Sequence, residues 1–543
     1  MKKLSIFAFL CLFASVSTKA QQNADLQASN IQTQINADGA LFWDPVAEIA
    51  QFKFPKPQPG STDLVLSTIY SAGLWLGGLD QEFGALHVAA QTYAQTGNDF
   101  WAGPIASNYN NANYDTRYNR VWNITRDQIN NHIANHANAG YVMPEVIQNW
   151  PAHGNSSNGE ANFLAPFMDT NNNQQYNPEQ GDYPDIHGDQ AVYFITNDDR
   201  FEHTETGADK FKFEIHGMAY AFDAPATTYL NNNVFLNYRI INRSDYTYNT
   251  HLGMWVDFDI GQPMDDFVGC DTTLNLFYAY NGDTNDEGYY GTNPPAQGSV
   301  FLNQPMYSFV YYNNDYSIQG QPENYGDYYE YLSGLWKDGT PMTYGGIGIG
   351  GDTPNNYMFS GNPVTGSGWS EVSSGNTPAD RRGLGTTYFT IAPNQAVCID
   401  LAFPVARVAA GTPNAQLEAV TLLKQQTQQL QVWYNSNYGG CAAPQLYAGV
   451  DNNSAKPQNL AVKVYPTPTT NNLSVEVFSQ TAGNATLQLR DLSGKLLQQT
   501  STFLVSGKNS LPFSLANQTA GVYLLSIQTK QGISTSKITK INN

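Results

Sequence analysis

The feature that most constrains the fold of this chain is a series of short segments in which apolar and polar residues alternate, each closed by Pro, Asn or Gly. The pattern is clearest in residues 460–543, where Val462, Val464, Leu473 and Val475 alternate with polar neighbours. Side chains two residues apart lie on the same face of a strand, so each segment predicts a strand with one buried face. The end of the chain is therefore predicted to form a small β-sandwich.

Four motifs follow one another in this stretch: Tyr-Pro-Thr-Pro, Asp-x-x-Gly-Lys, Gly-x-Tyr and Lys-x-x-Lys. Their order resembles the type A C-terminal sorting domain of the type IX secretion system of Bacteroidota. Thr467 stands where that domain usually has Asn, and its side-chain oxygen can still bond to the turn backbone. The sorting residues that the resemblance implies are Tyr465, Pro466, Pro468, Asp491, Gly494, Lys495, Gly521, Tyr523, Lys537 and Lys540.

The resemblance implies that the type IX secretion machinery is a partner and that the protein is secreted or held at the outer-membrane surface after periplasmic passage. The start of the chain agrees with this route. Lys2 and Lys3 precede an apolar run at 4–16, and Ala20 closes a short polar segment, which predicts a signal peptide at 1–20. No later stretch is apolar for long enough to cross a bilayer, so no transmembrane segment is expected in the mature chain.

The charge of the chain narrows the choice of partners. It carries 26 basic and 46 acidic side chains. Fifteen of the basic and 44 of the acidic side chains fall between residues 21 and 455, which gives this part a net charge of −29. Coulomb repulsion opposes binding to nucleic acid and to anionic lipid, so neither is expected as a partner, whereas cations are favoured.

The body that precedes residue 460 is rich in Tyr, Asn, Gly and Asp, a composition typical of β-structure with polar loops. We predict a mostly β chain of β-sandwich-type domains with a few short helices, followed by the small sorting sandwich. The predicted divisions are a signal peptide at 1–20, an N-terminal β-rich domain with one helix at 21–190, a central β-sandwich-like domain ending in a helix at 191–441, a linker at 442–459 and the sorting domain at 460–543.

The body also resembles a group of uncharacterised secreted Bacteroidota proteins. The shared motifs lie at residues 36–45, 73–80, 97–101, 177–190, 265–271 and 380–384. The resemblance implies an extracellular cargo protein and no particular activity.

Two acidic segments are candidates for calcium binding. Carboxylate and amide oxygens at alternate positions of a loop or at a strand end are ligands that a hard cation prefers, and without a cation their mutual repulsion is costly. The first choice of ligands is Asp257, Asp259, Asp265, Asp266 and Asp271. The second choice is Asp169, Asn171, Asn173, Gln175 and Asp182, although this loop lacks the glycine and the final glutamate of an EF-hand. Plain acidic loops remain the alternative for both.

Histidine and cysteine give weaker signals. His132 and His136 have the spacing of a zinc-binding helix but lack the metalloprotease Glu, so packing against the core is the preferred interpretation. Three cysteines follow the signal peptide. We favour a disulfide between Cys270 and Cys441, with Cys398 buried in a strand, but an odd number leaves the pairing open.

The sequence contains no Gly-x-Ser-x-Gly motif and no phosphate-binding loop, and no catalytic residue can be named. Aromatic residues in 307–336 could stack on a sugar, although such residues more often form a core. The leading hypothesis is a surface structural or binding module, an adhesin or glycan binder with calcium-stabilised loops. The alternative is an extracellular hydrolase of polysaccharide or protein, which the same export route also carries. With 44 acidic residues in the body, the sequence neither excludes nor locates the carboxylate pair of a glycosidase.

Overall fold

The computed structural model describes residues 22–438, 462–479, 482–490, 496–529 and 532–542. The predicted signal peptide, the predicted linker, Cys441, Asp491, Gly494 and Lys495 lie outside these residues. The described chain is mostly β with few helices, which confirms the predicted fold class. It falls into two compact units, the body at 22–438 and the sorting module at 462–542.

The strands of the body are short to medium in length and largely antiparallel. They are β1 Asn23–Leu26, β2 Thr33–Asn36, β3 Trp43–Asp44, β4 Ile49–Ala50, β5 Phe52–Lys53, β6 Ser67–Asp80, β7 Leu86–Ala90, β8 Trp101–Ala102, β9 Trp122–Thr125, β10 Phe167–Met168, β11 Tyr183–Pro184, β12 Gln190–Asn197, β13 Phe213–Ala221, β14 Asn233–Asn242, β15 Tyr248–Phe258, β16 Asp266–Asp271, β17 Leu276–Asn281, β18 Ala296–Phe301, β19 Ser308–Tyr312, β20 Arg381–Ile391 and β21 Ala396–Ala406.

The helices described in the body are all short except the last. They are α1 Tyr114–Tyr118, α2 Arg126–Asn135, α3 Glu145–Gln148, α4 Thr228–Asn231, α5 Tyr325–Leu332, α6 Glu371–Ser374 and α7 Ala415–Tyr438. None of the helices in the described residues is long and apolar enough to span a membrane.

Two large sheets form a sandwich. The nine-stranded sheet runs β16-β17-β18-β21-β14-β13-β12-β8, with β9 beside β12, and the six-stranded sheet runs β19-β20-β15-β6-β5, with β7 beside β6. Their inner faces meet through aromatic rings: Phe277 of the nine-stranded sheet stacks on Phe309 and meets the edge of Phe258. The alternation of the strands therefore buries one face of each sheet against the other, as expected for a sandwich.

Helices cover the outer faces of both sheets. On the six-stranded sheet, Tyr328 of α5 packs its ring edge to face on Trp75 of β6, with ring centroids 4.6 Å apart. On the nine-stranded sheet, α7 packs against β17, β18 and β21 through buried residues that include Leu423 and Leu430. Both faces of each sheet are thus largely buried, which explains why many strands are apolar along their whole length.

The body is one compact unit, and the predicted boundary at residue 190 does not separate two domains. Strand β6, from the predicted N-terminal domain, pairs with β15 from the predicted central domain along the whole length of β15. Strands β8 and β9 similarly pair with β12. Sequence patterns identify strands but not their partners, and pairing across the proposed boundary joins both parts in the same two sheets.

Helix α2 carries the two histidines whose role the sequence left to be decided. The helix begins after Thr125, whose hydroxyl accepts the Gln128 N–H in a capping box, as the sequence predicts. His132 is fully buried, and its ring nitrogens lie 3.2 Å from the hydroxyl of Tyr141 and 3.0 Å from the carbonyl oxygen of Asp182. Its position agrees with the packing interpretation.

The predicted disulfide assignment is wrong. Cys270 is a free, buried thiol in β16, and Cys398 in β21 is the disulfide-bonded cysteine. We expected the reverse because Cys270 stands in a polar, loop-like sequence. The strand β16 instead turns Cys270 toward the core between the sheets, where its thiol donates to the carbonyl oxygen of Met358 at 3.2 Å.

The sorting module is a small sandwich with its own core. Its strands are β22 Val462–Tyr465, β23 Asn472–Ser479, β24 Gly483–Arg490, β25 Leu496–Leu504, β26 Gly507–Ser514, β27 Gly521–Thr529 and β28 Gly532–Lys540. They form a three-stranded sheet, β22-β23-β26, and a four-stranded sheet, β25-β24-β27-β28. Among the sorting residues, the Lys540 ammonium group donates to the carbonyl oxygens of Leu515 and Gln518, and the Tyr523 hydroxyl donates to that of Thr519. These two residues therefore hold turns of the module in place.

Candidate functional site

Three carboxylates converge at one end of the six-stranded sheet. In the antiparallel register of β15 and β20, Asp257 lies opposite Arg382. Asp259 follows Asp257 by two residues and Asp380 precedes Arg382 by two residues, and side chains two residues apart share a face of the sheet. One oxygen from each of Asp257, Asp259 and Asp380 lies within 4.8 Å of the others. We call these three residues the carboxylate cluster.

A single guanidinium group accompanies the cluster. Arg382 Nη2 lies 3.1 Å from Asp380 Oδ2, and Arg382 Nε lies 3.8 Å from Asp257 Oδ1. Three buried atoms of this group lack a hydrogen-bond partner among the described residues: Asp257 Oδ1, Asp380 Oδ1 and Arg382 Nη1. The site therefore holds buried polar groups that are costly to leave unpaired, and a proton held between Asp257 and Asp380 would pair two of them.

Burial and mutual repulsion shift the acidity of the cluster. Burial, the charge of Asp259 and that of Asp380 hold the pKa of Asp257 well above its usual range, despite the opposing charge of Arg382. Burial and the charge of Asp380 raise the pKa of Asp259 to about 7. One guanidinium group does not balance three carboxylates, so the cluster favours a bound proton or a further cation.

A β-bulge and a glycine bring aromatic rings to the cluster. The register of β6 shifts by one residue beside Asp257, and Tyr70 is the residue left without a partner on β15. Three residues after Tyr70 on β6 comes Gly73. The carbonyl oxygen of Gln91 lies 2.2 Å from the position that a Cβ on Gly73 would occupy. Only glycine lets the segment after β7 lie so close to the sheet, and this segment carries Tyr93.

The rings of Trp43, Tyr70 and Tyr93 form a half-buried group beside the carboxylates. Tyr93 meets Tyr70 edge to face at 4.8 Å and Trp43 at 6.2 Å. Arg382 lies over the Tyr93 ring at 5.6 Å and donates to its hydroxyl at 2.5 Å. We call these three residues the aromatic group. It borders the carboxylate cluster and leaves part of each ring open to solvent.

The structure divides the first-choice calcium ligands among three places. Asp257 and Asp259 belong to the carboxylate cluster. Asp265 and Asp266 lie at the start of β16, where Asp266 is fully buried and accepts the Ile260 N–H at 3.0 Å. Asp271 lies at the other end of β16 and forms an ion pair of 3.1 Å with Lys424 of α7. Including Asp271 in one site with the others was wrong, because the length of a six-residue strand separates it from them.

The second-choice loop folds around its own carboxylates. Asp182 is fully buried; it accepts the N–H and the hydroxyl of Thr170, both at 2.8 Å, and the N–H of Asn177 at 2.8 Å. Asp169 accepts the N–H groups of Asn173 and Gln174. Asn171 and Asn173 accept backbone N–H groups two residues on. The oxygens of this loop thus serve as turn acceptors, and Gln175 is exposed.

Sequence reasoning missed Asp380, Arg382 and the aromatic group as parts of a site. Asp380 and Arg382 belong to the segment 380–384 that the sequence analysis singled out, so the motif was visible although its role was not. The aromatic segment 307–336 contributes mainly to the core instead, with Tyr312, Tyr331 and Trp336 fully buried. The pairing of β15 with β20 shows which acidic residues meet, and the bulge and the glycine of β6 show which aromatic residues lie beside them.

The structure thus defines a β-rich protein with a sandwich body, which carries an acidic and aromatic site, and a small sandwich module at its end. Residues 463–541 match the family model of a secretion system C-terminal sorting domain. The chain therefore carries this sorting domain, which confirms the resemblance seen in the sequence and supports a protein sorted by the type IX secretion system. A sorting domain of this kind implies a secreted or cell-surface protein.

Other comparisons add little. No curated protein matches the chain. Matching solved structures include a polysaccharide lyase, with 7% identity and a TM-score of 0.19 over 61% of this chain and 34% of that chain. They also include the BSP domain of a biofilm associated protein, with 11% identity and a TM-score of 0.17 over 90% of this chain and 85% of that chain. The chain spans about a third of the length of the lyase, and TM-scores this low carry no argument.

Proposed function

We propose that the body is a glycan-binding module of a secreted or cell-surface protein and that it binds glycan at the carboxylate cluster and the aromatic group. The observation that carries the proposal is the half-buried aromatic group beside Asp259 and Asp380, the two partly exposed carboxylates of the cluster. A sugar hydroxyl both donates and accepts, and the apolar face of a sugar ring packs on aromatic side chains such as Tyr93. The net charge of −29 favours neutral glycans over acidic ones.

We also propose calcium as the cofactor of this site. Asp257, Asp259 and Asp380 supply oxygen ligands, and the cation would remove the repulsion that the guanidinium group of Arg382 leaves unbalanced. Sugar hydroxyls are themselves hard oxygen ligands, so a calcium ion at this position can bridge the cluster and the glycan. Calcium binding and glycan binding are therefore expected to depend on each other.

The test is affinity electrophoresis of the purified protein in gels that contain neutral polysaccharides, with calcium or with a chelator. We expect retardation in calcium, and a loss of at least tenfold in affinity in Tyr93→Ala, which corresponds to about 1.4 kcal/mol. The matched control is Tyr388→Ala, which removes an exposed tyrosine from β20, the strand that carries Arg382, and is expected to bind as the parent does. Equal binding by Tyr93→Ala and the parent would exclude this site.

Calcium binding is tested separately, by thermal unfolding of the protein with calcium and with a chelator. An ion that binds the folded state alone stabilises it by about 1.4 to 2.7 kcal/mol when its concentration is ten to a hundred times the Kd. Chelation should therefore lower the Tm of the protein, and Asp380→Asn should reduce that response. Asp271→Asn, on the far end of β16, is the control that should respond as the parent does. A response that Asp380→Asn leaves unchanged would place the ion elsewhere.

A second candidate function is hydrolysis of an extracellular polysaccharide. Asp259 has its pKa raised to about 7 and lies within 4.8 Å of Asp380, measured between carboxylate oxygens. A carboxyl group that keeps its proton near neutral pH beside a second carboxylate is the arrangement that a glycosidase uses. Release of reducing ends from a bound polysaccharide, abolished in Asp259→Asn, would favour the hydrolase over the binding module. Binding without release would exclude it.

A further inference from the structure

A second group of oxygen atoms lies near the carboxylate cluster, on the inner side of the sandwich. Asp266 and Asn281 lie directly opposite each other in the register of β16 and β17. Both residues are fully buried. Val268, two residues after Asp266, and Ala279, two residues before Asn281, belong to the core between the sheets, so Asp266 and Asn281 face the same interior.

Each of these two side chains has an oxygen atom without a donor. Asp266 Oδ2 accepts the Ile260 N–H at 3.0 Å, whereas Asp266 Oδ1 has no partner among the described residues. The Asn281 side-chain N–H group donates to the carbonyl oxygen of Asp283 at 3.2 Å, whereas Asn281 Oδ1 has no partner there. Asp265 Oδ1, from the adjacent residue, is a third buried acceptor in the same condition.

The surroundings do not supply the missing positive charge. The guanidinium group of Arg381, which acts electrostatically on Asp266, is bound by Glu371 at 2.6 Å. Asp286, also close to Asp266, accepts the N–H groups of Gln262 and Tyr290 and brings a further negative charge. Burying several acceptors together without a donor is costly, and one bound cation would compensate all of them.

We propose that Asp265, Asp266 and Asn281 form a second cation site, which takes a hard divalent ion of the calcium class. Carboxylate and amide oxygens are the ligands that calcium prefers, and calcium tolerates the irregular geometry of two strand ends. The site is distinct from the carboxylate cluster, because it lies between the sheets and shares no ligand with that cluster. It does not depend on glycan binding. Its role is to join the start of β16 and the end of β17 to the loop that follows β15.

The alternative is a proton on Asp266 that donates to Asn281 Oδ1, and the experiment must separate the two. The full-length protein is equilibrated with calcium and freed of unbound metal, and calcium per chain is measured by elemental analysis. We expect Asp266→Asn to hold one calcium fewer than the parent and Asp257→Asn to lose a different one, so that the double variant loses both. The same calcium content in Asp266→Asn and the parent would overturn the proposal.

A second variant, Asn281→Asp, tests the same site if Asp266→Asn does not fold. This variant adds a charged ligand to a cation site, so we expect at least tenfold tighter calcium binding at one site and a larger rise of the Tm in calcium. If Asp266 instead shares a proton with Asn281, the added carboxylate has no cation to bind, and calcium affinity stays as in the parent. The matched control is Asn275→Asp, outside β16 and β17 at the opposite end of their hairpin, which should leave calcium binding unchanged.

Discussion

Asp259 and Asp271 are carboxylates of one acidic body, yet their surroundings move their pKa values in opposite directions. Burial and the charge of Asp380 raise the pKa of Asp259 to about 7. Burial acts in the same sense on Asp271, but hydrogen bonds from Thr273 and the charge of Lys424 outweigh it and lower the pKa. Net charge alone therefore does not identify a cation site, because only the carboxylates that lack donors and partner cations create one.

This contrast gives a prediction for the pH dependence of stability. An acid whose pKa is raised in the folded state holds a proton there that the unfolded chain has released, so stability falls as the pH rises from about 4 to about 7. Each pKa unit corresponds to about 1.4 kcal/mol. In chelator, the Tm should fall across this range, and Asp259→Asn should reduce the fall. Part of it should remain, because Asp257 and Asp266 also have raised pKa values.

The control for the pH experiment is Asp271→Asn. Its carboxylate has a lowered pKa, so its contribution to stability is present at neutral pH and is lost in acid. That variant should be less stable at neutral pH and should keep the parent's fall of Tm between about pH 4 and about pH 7. A pH profile of Asp259→Asn that superimposes on the parent's would show that Asp259 holds no proton in this range.

At the scale of elements, the site depends on how closely one segment can lie on a sheet. Strand β6 runs past the carboxylate cluster and carries both the bulge that presents Tyr70 and the glycine that admits the segment leading to Tyr93. The indole N–H of Trp75, also on β6, donates to the Gln91 carbonyl oxygen at 3.1 Å and holds that segment down. A single strand thus fixes Tyr70 and Tyr93 relative to the carboxylates of β15 and β20.

We therefore predict that Gly73→Ala weakens the site without removing any of its side chains. A Cβ at this position would lie 2.2 Å from the Gln91 carbonyl oxygen, so the segment must move away from the sheet. We expect a loss of stability of about 1 to 3 kcal/mol, typical of overpacking, and a weaker affinity for glycan. Chemical denaturation and affinity electrophoresis measure the two effects.

Gly483→Ala is the matched substitution, because nothing lies within 4 Å of a Cβ at that position in β24. It should change neither the stability of the body nor the affinity for glycan. If Gly73→Ala behaves like Gly483→Ala, the segment after β7 does not need its close approach to β6.

On the scale of the whole molecule, the body and the sorting module are two units with separate hydrophobic cores. The body has two cores, one that both sheets share and one between the nine-stranded sheet and the helices and loops that cover it, and the sorting module has a third core of its own. Since each unit buries its own apolar residues, changes in one need not alter the other. Export and glycan binding should therefore be separable by mutation.

Deletion of residues 460–543 tests this separation in the cell. With the predicted signal peptide intact, the truncated protein should reach the periplasm and stay there, because it lacks the sorting domain. Cell fractionation with an antibody against the body measures its location. The full-length Asp257→Asn variant is the control and should be exported as the parent is. Truncated protein at the cell surface in normal amounts would contradict the role of the module.

The sequence by itself determined the β class, the capped helix α2 and the sorting module. Alternation of apolar residues, caps and turn motifs are local properties, readable over a few residues. It did not determine the extent of the body or which acids meet. Asp257 and Asp380 are far apart in the chain, and only the antiparallel pairing of β20 with β15 brings them together. Conversely, acids that are close in the sequence can lie apart in the structure: Asp266 and Asp271 occupy opposite ends of β16, and Asp271 pairs with Lys424. Strand pairing between distant segments is set by the burial of whole faces, and no short stretch of sequence contains that information.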